Sequence, residues 1–388
     1  MALSIITFAD LGKRRNLKTI GIAPVIASLA ARGELASIIC RINGGFKVVP
    51  TIGAVPLLVH YALHLLQRIS FGAISARRIE EDMLDRIGGY VLPSDTVLFH
   101  PEYFYQKSLF VARAAGMKTI TIATMAHLQT NAAIEAEEYQ LQNMAMKNAV
   151  YAPLLKHNPH LNEYDYVIAL SDFVKDSYIR AGFPEDRIMV AYSDVELPPA
   201  SQLASHDGQI FRVLYIAQTG MLKGLHYILD AWSGVQAPQK ELVIVGSWKT
   251  MPRELQKRYR AAIDADPTIR MIGSLDRSEL SEQYRSASVF VCPSLTEGNP
   301  KVVMEALSYG VPVITTEHAR SVVVDGVNGF IIPIRDSRAF TQKMQFFADH
   351  PDAVRTMGAA GRNAVESKPS FGEQVADFYE HVVKHGIN

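Results

Sequence analysis

The sequence predicts an α/β protein made of two doubly wound parallel sheets in tandem. Three observations carry this. Short apolar runs alternate with helix-like stretches along the whole chain, the pattern of a parallel sheet covered by helices. Each half holds about six such runs. The 388 residues are too many for one ordinary core but suit two domains of roughly 150–200 residues.

In the first half the strands are expected at 3–8 (LSIITF), 37–41, 96–100, 119–123 (TITIA), 166–170 and 188–192. In the second they are expected at 212–217 (RVLYIA), 241–246, 269–273, 288–292 (SVFVC), 312–316 and 329–333. The stretch DVELPPASQLASHDGQ (194–209) is rich in Pro, Ser and Asp and lacks helical periodicity, as linkers do. It places a boundary between domains 1–197 and 198–370. The tail 371–385 has apolar residues at 371, 375, 378, 379 and 382, an amphipathic helix that is expected to pack back on the first domain. Open α/β sheets bind ligands outside the carboxyl ends of their strands. Two such domains facing across a cleft would direct attention to the residues just after each strand.

Composition excludes several classes. Lys+Arg and Asp+Glu both number 39, so there is no basic excess to suit nucleic acid. Cys40 and Cys292 lie in strand-like apolar runs and read as buried thiols of a reducing compartment. The opening MALSIITFADLGKRR has its apolar run before its charges, the reverse of a secretory signal, and no run of 18 apolar residues occurs. A cytoplasmic protein is expected. The segment 54–78 opens with a helix-like apolar run interrupted by His60, His64 and Gln67, then turns basic at Arg68, Arg77 and Arg78. It fits a core helix, and it also fits a helix resting on the anionic inner face of a membrane.

Two stretches point to chemistry. In YIAQTGMLKGLHYILDAW (215–232) a strand ends at Ala217, a loop with Gly220 and Gly224 follows, and then an amphipathic helix. Backbone N–H groups at such a helix start suit a phosphate, and Lys223 adds a charge. The pattern is neither G-x-x-x-x-G-K-[ST] nor G-x-G-x-x-G, so a solvated lysine at a helix start is the plain alternative. In SLTEGNPKVVMEALSYGVPVITT (294–316), Asn299 suits an N-cap, Pro300 a first helical position and Gly310 a C-terminal stop. Glu297 then stands on a loop at a strand's carboxyl end, and Glu305 about a turn and a half into the helix. A lone Glu there often just complements the helix dipole. Two carboxylates beside a phosphate-ready N-terminus can accept hydrogen bonds from sugar and ribose hydroxyls.

At these residues the second half resembles the donor domain of the retaining GT-B glycosyltransferases of family 4, the group 1 glycosyltransferases. Glu297 and Glu305 match the family's Glu-x7-Glu signature, and PSLTEGNPKVVMEALSYGVPVI, VVDGVNGFIIP (323–333), GSLDRSELSEQYRSASVFV (273–291) and YIAQTGMLKG look similar to it too. The likeness covers nearly all of 211–366. It implies that Lys223 binds the donor diphosphate, Glu305 the ribose and Glu297 the donor hexose. Gly298, Asn299 and Lys301 would offer N–H groups to sugar and phosphate; Pro300, in the same turn, has none. Ser274 and Leu275 would lie by the nucleobase. Many members carry a diphosphate-binding arginine five positions before the lysine; here Gln218 stands there, an amide without charge. His127, four residues after a strand and followed by Glu135, Glu137 and Glu138, matches a loop histidine that meets the donor sugar in the family. A helix-start or core histidine is its plain alternative. Gly12 is the one glycine of the first strand's loop, where the family places glycines against donor phosphates. Lys13, Arg14 and Arg15 beside it fit phosphate or a solvated face. His100, Pro101 and Glu102 end another strand.

The resemblance further implies a retaining transfer of a hexose from a UDP- or GDP-type nucleotide sugar to a hydroxyl acceptor, such as a lipid-linked sugar, in polysaccharide or glycolipid synthesis. The donor is a substrate, and no cofactor and no metal site are expected, since no Asp-x-Asp motif stands out at a strand end. Rival readings are a non-catalytic nucleotide-sugar-binding partner of a polysaccharide assembly complex, which Gln218 favours, and an epimerase or phosphorylase of the same two-domain shape. An NAD-dependent dehydrogenase is disfavoured by the missing dinucleotide fingerprint.

Overall fold

The computed structural model describes residues 3–11, 22–43, 51–53, 57–69, 75–91, 97–100, 106–147, 149–155, 162–204, 210–218, 220–247 and 251–380. They divide into two compact units. The first comprises 1–124, 156–194 and 369–388, the second 125–155 and 195–368.

The first unit is built on a parallel sheet of β1 (Leu3–Leu11), β2 (Leu35–Asn43), β3 (Thr51–Gly53), β4 (Val97–His100), β5 (Thr119–Ala123), β6 (Tyr166–Ala169) and β7 (Ile188–Val190), in the order β3-β2-β1-β4-β5-β6-β7. All six expected strands form. Their side chains feed two cores, with Leu3 and Ile5 of β1 in one and Ile6 in the other, as successive residues of a strand point to opposite faces. The sequence reading missed β3. It has only three residues, two of them exposed, and so carries no apolar run.

The second unit has β8 (Phe211–Ile216), β9 (Lys240–Val245), β10 (Ile269–Ile272), β11 (Val289–Cys292), β12 (Val313–Thr316) and β13 (Gly329–Ile332), all parallel, in the order β10-β9-β8-β11-β12-β13. This is the doubly wound order 3-2-1-4-5-6 of dinucleotide-binding sheets. Val213 and Tyr215 of β8 and Val289 and Val291 of β11 fill one core, while Leu214, Phe290 and Cys292 fill the other. Chain order reverses between β8 and β11. The loops leaving their carboxyl ends therefore part to opposite faces and open a crevice there.

The units depart from the expected division in their bounds, 194/195 in place of 197/198, and in one whole segment. The segment 125–155 follows β5 yet belongs to the second unit. Tyr139 joins that unit's main core, and Glu138, on the helix Leu128–Leu141, is buried in a polar network with His226, Tyr227 and Arg335. At the other end of the chain, the helix Phe371–Phe378 packs on the helix Ile22–Ala31 of the first unit, and Phe371, Val375 and Tyr379 enter its core. Ser370 and Glu373 form a capping box at its start, and Arg32 pairs with Asp377 at 2.7 Å. The two helices approach so closely that a Cβ on Gly372 would lie 2.2 Å from the Pro24 carbonyl oxygen. The part of the expected tail helix beyond 380 lies outside the described residues.

Candidate active site

The crevice between β8 and β11 brings together Gln218, Lys223, Glu297, Asn299, Pro300 and Lys301 of the residues that the sequence singled out. After β8 the chain makes a single turn, Met221–Lys223, and enters the helix Leu225–Trp232 through Gly224. Gly224 has φ +68°, and a Cβ there would lie 2.1 Å from the Pro293 carbonyl oxygen in the loop after β11. Only glycine lets the two loops meet so closely. Gly224→Ala is therefore expected to cost more than about 1 kcal/mol, the least such a left-handed position loses, with the steric overlap in addition. Thermal unfolding measures it, and a melting temperature equal to the parent's would refute the close approach.

Lys223 and Glu297 meet across this crevice. The Lys223 ammonium donates to Glu297 Oε1 at 2.5 Å, and the Ser294 hydroxyl donates to the same oxygen at 2.8 Å. Burial works against the lysine's charge, but the charge of Glu297 and its hydrogen bond outweigh it and hold Lys223 above its ordinary range. The pair lines a pocket of about 310 Å³ with Gln218, Asn299, Pro300 and Lys301. A second hollow of about 260 Å³ shares Gln218 and Lys223 and adds Gly220, Glu135 and Tyr151. Lys223 thus stands on the wall common to both. Gln218 is exposed at the rim, and the pocket's lining includes a second lysine, Lys301.

The loop 297–300 is held from below. Asn299 was expected as the N-cap of the following helix, and that expectation is corrected. The helix spans Lys301–Ser308, with Pro300 in the capping position, and the Asn299 amide oxygen instead accepts from the Ser321 hydroxyl at 2.7 Å. Ser321 has φ +50°, a costly conformation for serine that the surrounding contacts maintain. Gly298 and Pro300 are buried in this turn. Gly310, at φ +79°, ends the helix region as expected.

Glu305 faces elsewhere. It is absent from the lining of the 310 Å³ pocket, and its Oε2 accepts from the Tyr284 hydroxyl at 2.8 Å. Tyr284 stacks on Tyr309, with ring centroids 5.2 Å apart. Burial, reinforced by the Glu305 charge, raises the Tyr284 phenol far above its ordinary range, so it stays a donor. Ser274 is exposed just beyond β10, and Leu275 is half-buried against the core. The two glutamates therefore have different immediate partners, a cation for Glu297 and a phenol for Glu305.

His127 is buried and stands immediately before the helix Leu128–Leu141, its Nδ1 accepting from the Gln129 N–H at 3.4 Å. One turn on, the Asn131 amide oxygen accepts from the Thr296 hydroxyl at 2.5 Å, which ties this helix to the residue before Glu297. The acidic cluster after His127 has three separate tasks. Glu135 accepts from the backbone N–H groups of Val150 and Tyr151, at 2.8 and 2.9 Å, and so sets Tyr151 beside the second hollow. Burial, and then the charges of Glu297 and Glu135, push the Tyr151 phenol up to about 12. Glu137 pairs with Arg335 at 2.9 Å, and Glu138 is wholly buried. Sequence reading missed Tyr151 and Arg335, whose partners Glu135 and Glu138 lie 16 and 197 positions away.

Elsewhere, His100 is buried between the Tyr164 hydroxyl, at 2.7 Å, and the Ser108 hydroxyl, at 3.1 Å; desolvation lowers it to about 3, so it is a neutral structural histidine. Cys292 is buried, and burial followed by the Glu297 charge pushes its thiol up to about 11. Gly12, Lys13, Arg14, Arg15, Pro101 and Glu102 lie outside the described residues.

The sequence model of the family described as "Glycosyl transferases group 1" matches residues 211–350. That match covers most of the second unit. The chain is 25% identical over 227 residues to the amylovoran biosynthesis glycosyltransferase AmsK of Erwinia amylovora, covering 55% of this chain and 54% of that protein. The chain thus spans about half the length of the curated relatives it matches. Among solved structures it resembles the apo form of WaaB, a lipopolysaccharide outer core galactosyltransferase, with a TM-score of 0.67, 15% identity and coverage of 98% of this chain and 100% of that one. It also resembles Anabaena HepE in complex with UDP and glucose, with a TM-score of 0.62, 14% identity and coverage of 99% and 100%. The fold is that of the GT-B glycosyltransferases. The β8–β11 crevice, with Lys223 and Glu297, lies within the matched residues 211–350.

Proposed function

We propose that this protein is a retaining glycosyltransferase that moves a hexose from a nucleoside-diphosphate sugar to a hydroxyl acceptor in polysaccharide or glycolipid synthesis. The observation that carries the reading is the 2.5 Å pair of Lys223 and Glu297 at the switch point of a doubly wound sheet. Breaking a glycosyl–phosphate bond builds negative charge on the leaving diphosphate and positive charge at the sugar C1. A preorganised cation at the first and hydrogen-bond acceptors at the second are what lower that barrier. Lys223 takes the diphosphate in this reading, with Lys301 on the same pocket supplying the charge that Gln218 lacks. Glu297, Gly298 and Asn299 hold the hexose, Glu305 the ribose, and Ser274 and Leu275 the base. His127 stands at the donor sugar. Retaining glycosidases use a carboxylate nucleophile opposite an acid; this reading assigns no carboxylate to that role. Attack on the face from which the diphosphate leaves, with that phosphate taking the acceptor's proton, needs no metal at the donor.

A panel of UDP-, GDP- and ADP-sugars tests this, by thermal shift and by release of the nucleoside diphosphate. A single base class is expected to raise the melting temperature, by roughly 2.7 kcal/mol of stabilisation at a hundredfold excess over Kd. Release of nucleoside diphosphate on adding an acceptor would mark a transferase. Tight binding with no turnover toward any acceptor would favour the non-catalytic alternative.

The acceptor is proposed to be membrane-borne. The helix Leu57–Ile69 exposes Tyr61, Leu65 and Ile69 at successive turns, with Arg68 in its last turn. No helix among the described residues is long and apolar enough to cross a membrane. An apolar stripe beside a cation suits the surface of an anionic bilayer. Flotation with vesicles containing anionic lipid is expected to carry the parent protein and not Leu65→Glu; equal flotation of the two would remove the proposal.

A further inference from the structure

The outward stripe of the helix Leu57–Ile69 has an inward counterpart made of different chemistry. His60 and His64 stand one turn apart on one face, and Glu80 of the helix Ala76–Val91 is set against them. Glu80 is fully buried. Its Oε1 lies 2.6 Å from His60 Nδ1 and 3.9 Å from His64 Nε2, and the two imidazole centroids are 4.5 Å apart. One donor atom from each residue lies within 4.8 Å of the others. Among the described residues this is the one group of three or more His, Cys, Asp or Glu so arranged.

We infer that His60, His64 and Glu80 bind a borderline divalent cation of the zinc type, which staples the two helices together. Two imidazoles and a carboxylate are the three-ligand set that zinc takes when a fourth position is left to water. Bonds of 2.0–2.1 Å in a tetrahedron put neighbouring donor atoms about 3.3 Å apart. The contacts of 2.6 and 3.9 Å lie on either side of that separation, and all three donor atoms lie within 4.8 Å of one another. A buried carboxylate calls for a cationic or hydrogen-bonding partner. His60 contributes one such partner, and His64 brings a second imidazole to 3.9 Å from the same oxygen. His64 is 47% exposed, which gives an ion a path from solvent and leaves room for a water ligand. Binding displaces the hydrogen shared by His60 Nδ1 and Glu80, to the ring's other nitrogen or to solvent. The frame is already pinned nearby, where the Ala76 N–H donates to Gln67 Oε1 at 3.0 Å.

The full chain, without a histidine tag and stripped with a chelator, is titrated with zinc chloride and with cobalt chloride. One zinc per chain is expected, with a raised melting temperature, and the bound cobalt is expected to show the intense visible absorption of a four-coordinate ion. His64→Ala, at a half-exposed position, is expected to keep the metal-free melting temperature and to bind zinc at least about tenfold more weakly. Glu80→Gln is expected to abolish the cobalt spectrum. Donor binding by the stripped parent is expected to persist, which separates this site from the transfer chemistry. Failure of the parent to bind zinc at micromolar concentration, or parent-like affinity in both variants, would overturn the inference.

Discussion

Glu297→Ala is expected to reduce turnover by about 10²–10³-fold, the loss seen when one preorganised group at a developing charge is removed, with little loss of nucleotide affinity. The split arises from geometry. Glu297 neutralises Lys223 directly, at 2.5 Å, and the carboxylate is steadied by the Ser294 hydroxyl. Deleting the carboxylate leaves an ammonium with no carboxylate against it beside a pocket of about 310 Å³, which helps a diphosphate rather than hindering it. What is lost is the acceptor for the sugar. Steady-state kinetics with the donor found by the panel would separate kcat from KM. Lys223→Ala serves as the contrast, expected to weaken donor binding first. Unchanged kcat in Glu297→Ala would end the assignment of the pocket.

The largest effect on stability is expected at Glu138. This carboxylate is fully buried and accepts from His226 Nε2 at 2.9 Å, from the Tyr227 hydroxyl at 2.9 Å and from Arg335 Nε at 2.8 Å. Burial alone would raise its pKa, but the donors outweigh burial and hold it at about 2. Arg335 gives a further hydrogen bond to the Ile134 carbonyl oxygen at 3.1 Å and sits at φ +67°. Glu138→Ala leaves that guanidinium without its buried partner, a change that typically costs 3–5 kcal/mol. For a domain of this size that is roughly 10 °C or more in melting temperature. The pH dependence has a definite sign. A carboxylate depressed from 4.5 to about 2 stabilises fully above pH 4.5, and its contribution fades as pH falls through that window. Denaturant unfolding between pH 6 and pH 3 should show the parent losing this increment and Glu138→Ala lacking it. A difference between the two that does not narrow on acidification would contradict the network.

Much of this was legible because sheet and loop announce themselves locally. A buried parallel strand is a continuous apolar run, and VFVC or TITIA can hardly be read otherwise. The loops after β8 and β11 carry glycines, a proline and charges at fixed offsets from those runs, so Lys223 and Glu297 were found one strand at a time. Partnership was not legible. That Glu305 accepts from Tyr284 and Asn299 from Ser321 depends on residues 21 and 22 positions away, whose side chains carry no periodic signal. The Asn299 cap failed for such a reason, because a hydroxyl presented by a strained serine competes for the same amide. The acidic run after His127 read as one feature, yet Glu135 bonds to backbone, Glu137 to Arg335 and Glu138 into a buried network. The pair His60 and His64 was visible only as an interruption of an apolar helix, since Glu80 comes from the following one.

The placement of 125–155 and of the last helix bears on how the chain is made. A chain emerging from the ribosome offers this sheet first, but the sheet's core includes Phe371, Val375 and Tyr379, which are made only after the whole second unit. The second unit has the opposite debt, since Tyr139 and Glu138 are synthesised before the linker and must wait for Trp232, His226 and Arg335. Neither unit can finish on its own stretch of chain, so cutting at the linker divides both cores rather than releasing two domains. Residues 195–368 produced alone would expose an apolar seat for Tyr139 and an unmatched Arg335, a fragment prone to aggregate rather than a usable donor-binding module.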